Sequence, residues 1–167
     1  NHDRAIDAIA DLRAHALHPC RAEDLVPPPR FTDKRFDTYV VDLTIVGQAE
    51  AVARVRTFVA KRRTWWRRIV GASWAGPFGL YLDGDFGVGK THLLAASWHA
   101  AYGSKRYVSF AEAISLVVLY GARQAADLLA GDLVCIDEFE LDDPADTRLA
   151  DLLIDELAKR RARIITT

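Results

Sequence analysis

Eight consecutive residues, Gly84-Asp85-Phe86-Gly87-Val88-Gly89-Lys90-Thr91, have the types and spacing of G-x-x-x-x-G-K-[ST]. The chemistry open to such an octet is the holding of a polyphosphate, whose negative charges must be met without bulky side chains blocking the approach. Gly84, Gly87 and Gly89 allow the backbone a positive φ, so that its N–H groups turn inward. A helix starting at the end of the loop points its positive N-terminus at the same phosphates. Lys90 is then placed to reach the β- and γ-phosphates, and the Thr91 hydroxyl to ligate Mg²⁺. His92 follows directly and is counted with Gly84 to Thr91 as part of the nucleotide cradle. At an average glycine usage of about 7%, a chance match in a chain of this length is roughly 1 in 200.

A second constellation lies downstream. Leu133-Val134-Cys135-Ile136-Asp137-Glu138 is an apolar run closed by two acids, the Walker B pattern. Asp137 at such a strand end can hold Mg²⁺ opposite Thr91, commonly through a water. Glu138 suits the orienting and polarising of a water that attacks the γ-phosphate, so Glu138 and Lys90 are the candidate catalytic residues, and Thr91 and Asp137 the candidate metal ligands. ATP or ADP with Mg²⁺ is the implied ligand set. Cys135 alternates with the acids and reads as core rather than as a reactive thiol.

These residues need a strand, a loop and a helix in that order, and the flanking sequence supplies them. Gly79 to Asp83 is a short buried-strand run, and Thr91 to Ala101 has helical spacing through Leu93, Leu94, Ser97, Trp98 and Ala101. Further along, strands are expected over Lys105–Phe110, Asp132–Asp137 and Arg163–Thr167. Helices are expected over Gln48–Arg63, with Val52, Val55, Phe58 and Val59 inward, over Ala111–Ala130 with a break near Gly121, and over Thr147–Arg161, where Leu149, Leu152, Leu153 and Leu157 repeat. Strands alternating with helices predict an α/β fold: a three-layer, open, parallel sheet with helices on both faces, the core of a P-loop NTPase. The organisation expected is a lead-in over residues 1–30, a helix followed by a proline-rich connector, and an ATPase domain over 31–167.

Composition sets the remaining bounds. At 167 residues, 50% hydrophobic and 27% charged, the chain is about one ordinary globular domain. A net charge of −1 argues against a protein dominated by nucleic-acid electrostatics. No apolar run approaches the ~20 residues of a membrane span, and the acids and arginines near the N-terminus are no signal peptide. Cys20 and Cys135 are too few for a disulfide framework, which fits a reducing cytoplasm. A chain that starts at Asn1 and contains no Met is expected to be part of a longer protein.

Three features lie outside the main constellation. Asp3 to Leu17 reads as an amphipathic helix, and His15, His18 and Cys20 near its end read as solvated side chains rather than a metal site. Val26-Pro27-Pro28-Pro29-Arg30 stops a helix and forces an extended connector. Lys61, Arg62, Arg63, Arg67 and Arg68 surround Thr64-Trp65-Trp66, a mixture that can bind single-stranded nucleic acid or an anionic surface but more simply makes a solvated face.

On these residues the chain resembles ATPases of the extended AAA+ type, and more narrowly the ZapE-like (AFG1-type) bacterial cell-division ATPases with their mitochondrial relatives. Three stretches carry the likeness: Pro27 to Phe31 with Phe36 and Tyr39; Gly79 to Leu82 leading into Gly84 to Thr91; and Val134 to Phe139 followed by Asp143 and Asp146. The resemblance spans about Val26 to Thr167. It implies ATP hydrolysis in a ring or filament of subunits, association with the division machinery and its tubulin-like polymer, and peripheral contact with the inner membrane. It departs from better-known members at Arg106-Tyr107-Val108-Ser109-Phe110, where they carry an aromatic- and histidine-rich strand. The family's Ser-Asn sensor, last sheet strand and arginine finger would lie past Thr167. Other readings of the same loop are a helicase-loader-like ATPase, a small-molecule kinase and a nucleotide-gated scaffold. Glu138 directly after Asp137 speaks against the kinase.

Overall fold

In a computed structural model, residues 23–42, 44–60, 78–85 and 87–167 are described. The apolar run that ends in Asp137 forms β3 (Leu133–Asp137), buried at every position, as only a strand covered on both faces can be. It pairs in parallel with β2 (Lys105–Ser109) on one side and β4 (Arg163–Thr166) on the other. β1 (Gly79–Tyr81) lies beyond β4, so the order is β1-β4-β3-β2. Ser109 stands opposite Asp137, and Thr166 opposite both Ile136 and Tyr81, so the carboxyl ends of all four strands reach one rim.

The two-residue period of a strand sorts its side chains between the two faces. Val108, Val134, Ile136 and Ile164 pack with α3 (Phe110–Tyr120), α4 (Ala122–Leu129) and α5 (Pro144–Lys159). Tyr107, Leu133, Cys135 and Ile165 pack on the opposite face with α1 (Gln48–Ala60) and α2 (Lys90–Ala100). The result is the predicted three-layer α/β core with an all-parallel sheet. Each fully buried Leu or Ile in it contributes about 1.5–3 kcal/mol relative to exposure.

Local signals set the helix ends. In α3 the Ser109 side chain accepts the Glu112 N–H while the Glu112 carboxylate accepts the Ser109 N–H, a reciprocal capping box. The break expected near Gly121 falls there: its φ of 79° ends α3 and lets α4 start in a new direction. α5 starts at Pro144 rather than at Thr147, because the Asp143 side chain caps the Ala145 N–H at 2.6 Å and proline suits the first turn. One expectation is corrected on α5. Helical spacing places Leu152 in the apolar stripe, but it is 54% exposed, while Ala150, Leu153 and Leu157 carry the contact. β1 and β2 stop at Tyr81 and Ser109, short of the sequence expectation, although the Leu82 N–H still bonds the Thr166 carbonyl at 2.8 Å.

Part of the lead-in already joins the core. The Leu25 carbonyl accepts the Tyr107 N–H at 2.9 Å on the outer edge of β2, and Leu25 and Pro27 are buried. Phe31, Phe36 and Tyr39 then pack against the α1–α2 side of the sheet. The helix expected over Asp3–Leu17, the His15, His18 and Cys20 cluster, the basic stretch Lys61–Arg68 and Phe86 of the loop lie outside the described residues. Among the described residues no helix is long and apolar enough to cross a membrane.

Candidate functional site

The glycine octet lies where β1 gives way to α2. Gly84, Gly87 and Gly89 all have positive φ, at 144°, 82° and 86°. Gly89 is constrained twice, since a Cβ there would also come within 2.9 Å of the Tyr39 ring. Gly89 is the N-cap of α2 and offers no side chain to it, and a helix N-terminus of this kind suits an anion. The Lys90 ammonium turns into the loop, donating to the carbonyls of Gly84 and of Asp85, the latter at 3.2 Å.

Facing this loop is the end of β3. Asp137 shares a strand parity with Leu133 and Cys135, and therefore points to the α2 side of the sheet. Its Oδ1 accepts from the Thr91 hydroxyl at 3.2 Å, the Thr167 hydroxyl at 2.8 Å and the Glu138 N–H at 3.2 Å. Its Oδ2 accepts from the Tyr107 phenol at 2.7 Å. Burial, reinforced by the bond to Asp137, pushes the Tyr107 phenol far above its usual range, so it stays a neutral donor. Burial likewise pushes the Cys135 thiol up, as expected of core.

Glu138 leaves the strand with a φ of 56°, exposed, its N–H held by the Thr167 hydroxyl at 2.9 Å. A non-glycine residue in this region costs about 1–2 kcal/mol, and here it turns the chain out of the sheet immediately after the buried carboxylate. Phe139 anchors the turn by donating its N–H to the Thr167 carbonyl at 2.9 Å and by setting its ring, tilted by 58°, with its centroid 4.7 Å from that of Phe110.

A third component was not singled out from sequence. The Val88 carbonyl accepts from the Tyr39 hydroxyl at 2.6 Å and from the Gln48 side chain at 3.2 Å, so segment 39–48 is tied to the loop. Burial raises the pKa of the Tyr39 phenol. His92 belongs to this contact: its Nε2 lies 3.1 Å from the Thr38 hydroxyl and 3.2 Å from the Arg35 carbonyl, and its ring meets Tyr39 edge-on. Between segment 39–48, α1 and the loop lies a cavity of about 510 Å³, lined by Ile45, Val46, Val55 and Leu80 and bordered by Asp85 and Lys90. Such a volume takes a flat, largely apolar ring system beside the phosphate loop. Nothing local in the sequence marks Tyr39 and Gln48 as partners of Val88. A cavity of about 520 Å³ opens beside β1 between Phe78, Tyr81, Phe139, Leu141 and Ile154; among the described residues no carboxylate or cation lines it, and Lys90 is not part of its lining.

The donor set fits Mg²⁺. A hydroxyl and a carboxylate are hard oxygen ligands, and they face each other across 3.2 Å. Among the described residues no group of three or more His, Cys, Asp or Glu side chains could hold a metal by itself. Mg²⁺ needs no such cage, since it commonly takes one or two protein oxygens and completes its shell with phosphates and water. Loop, cation, hydroxyl and carboxylate thus form an arrangement able to hold a metal-bound polyphosphate.

Comparison with known proteins agrees with this chemistry. The family described as AFG1-like ATPase has a model that matches residues 18–167, nearly the whole chain. No curated protein and no solved structure matches it. With the family match running from before the Leu25 contact to the last residue of the site, the chain belongs to the AFG1-like ATPases.

Proposed function

We propose that this chain binds ATP with Mg²⁺ on the carboxyl rim of its sheet and hydrolyses it there. The observation that supports the reading most is the meeting of Thr91, from the glycine loop, with Asp137, from the end of β3, at 3.2 Å. In this reading the N–H groups of Gly87 to Thr91 and the Lys90 ammonium bind the phosphates, and the cavity between Ile45, Val46 and Leu80 receives the nucleoside. Thr91 and Asp137 hold the metal, which when bound neutralises charge developing on the phosphates. Glu138, exposed just beyond the buried carboxylate, orients the attacking water and takes its proton. Tyr39 and Gln48 fix the loop through the Val88 carbonyl, so that the phosphate donors are positioned before substrate arrives.

The site is proposed to lie within a domain over residues 31–167, with 1–30 as its lead-in. On the resemblance alone, hydrolysis serves a protein assembly of the division machinery and its tubulin-like polymer, in the cytoplasm or peripherally at the inner membrane. The test is phosphate release from ATP, with and without Mg²⁺ and with and without that polymer. Mg²⁺-dependent release is expected. Tight nucleotide binding with no release under any of these conditions would favour a gated scaffold, and no nucleotide binding would overturn the reading.

A further inference from the structure

We infer that Tyr107 is the positioning residue of the metal carboxylate, holding Asp137 so that Oδ1 and not Oδ2 is presented to Thr91 and the cation. The inference rests on the Mg-nucleotide reading above and deepens it.

The placement comes from strand parity and reach. Tyr107 lies on β2 opposite Cys135, two residues before the Ser109 that stands opposite Asp137. Residues two apart on a strand share a face, so Tyr107 and Asp137 both belong to the α2 side, and the length of a phenol spans the remaining step. The nearer hydroxyl is already engaged: Ser109 Oγ lies 2.8 Å from the Glu112 carboxylate and accepts the Glu112 N–H to start α3. The contact to Asp137 therefore falls to the more distant tyrosine.

The chemistry of the contact suits a support and not a ligand. Oδ1 gathers three donors, from Thr91, Thr167 and Glu138, whereas Oδ2 accepts from Tyr107 at 2.7 Å. Rotation about the last torsion of an aspartate is broad and two-fold, so the carboxylate plane needs an external hold. Tyr107 is 4% exposed in otherwise apolar surroundings that would accept a phenylalanine equally well. A buried hydroxyl costs stability unless it is hydrogen-bonded, and its bond goes to the Asp137 carboxylate. Partners of this kind behind a metal ligand set the affinity for the metal by about 10- to 100-fold.

The test reads nucleotide binding rather than turnover. Binding of ADP to Tyr107→Phe is titrated in EDTA and then against Mg²⁺, beside the wild-type protein. Expected are an ADP affinity in EDTA within about twofold of wild type and a Mg²⁺ midpoint raised about tenfold. The same substitution made on Asp137→Asn should add no further loss, because the group it positions is gone. A wild-type Mg²⁺ dependence with an unchanged midpoint in Tyr107→Phe overturns this inference alone, as does an equal loss of affinity with and without Mg²⁺. Wild-type binding that ignores Mg²⁺ overturns the metal assignment at Asp137 together with it.

Discussion

The glycine loop between β1 and α2 and the acidic end of β3 serve the same rim, yet one is assembled from main chain and the other from side chains. The described residues of the loop are exposed or half-buried, and its positive-φ glycines leave N–H groups and one inward lysine as its working parts. Asp137 is 7% exposed, and its oxygens collect hydroxyls from α2, β2 and the residue after β4. The difference teaches where each kind of change should register. Damage to the main-chain half should appear in phosphate affinity, and damage to the side-chain half in metal dependence and chemistry.

The largest expected effect tests that division directly. Glu138→Gln should lower phosphate release by about 10²- to 10⁴-fold while leaving ATP affinity within about twofold, because an amide can bond a water but cannot take its proton. Steady-state turnover and calorimetry on the same preparation separate the two quantities. Turnover equal to wild type would remove Glu138 from the mechanism and erase the contrast.

Next comes the loop's own cation. Lys90→Ala removes a charge-assisted contact of about 1.5–3 kcal/mol, so ATP affinity should fall roughly 10- to 150-fold. The loss should persist in EDTA, unlike that expected of Tyr107→Phe. Unchanged calorimetric affinity in a folded Lys90→Ala protein would sink the loop's role.

A smaller effect sharpens the view that the loop depends on its backbone. Gly89→Ala puts a Cβ at a φ of 86° and within 2.9 Å of the Tyr39 ring. The left-handed region alone costs about 1–2 kcal/mol, so the melting temperature and ADP affinity should both drop. Adding Tyr39→Ala should relieve the collision but not the backbone cost. Full recovery in the double variant would show that only space, and not conformation, demands glycine.

The smallest effect lies outside both halves and acts as a control. On α5 the Glu156 carboxyl is drawn down to about 2 by its hydrogen bond to Lys159, and by Arg160. A folded value below the ordinary one of 4.5 gives stability that is complete above pH 4.5 and lost as pH falls towards 2. Solvent and salt screen such a pair, so Glu156→Gln should flatten the acid limb of a urea-denaturation series only slightly. Nucleotide affinity at neutral pH should not move, and a change there would mean that α5 is coupled to the rim.

Legibility followed the same divide. The loop, Asp137 and Glu138 could be read from spacing because their geometry is dictated by neighbours in sequence: glycine permits the turn, and an apolar strand delivers the acids to its end. On α5, Leu152 has the spacing of the apolar stripe yet stays exposed, since helical spacing cannot say how wide a stripe the neighbouring elements will cover.

By itself the sequence determined the α/β alternation, the parallel sheet and the two motifs, all of which rest on periodicity and local backbone chemistry. Only the tertiary structure decided what holds them in place. Tyr39 and Gln48 reach the Val88 carbonyl, while Tyr107 and Thr167 reach Asp137, across separations of 49, 40, 30 and 30 residues. The physical reason is that such a bond depends on strand order, register and parity together. None of these is a property of any single stretch of chain. They exist once β2, β3 and β4 lie side by side and α2 is laid across them.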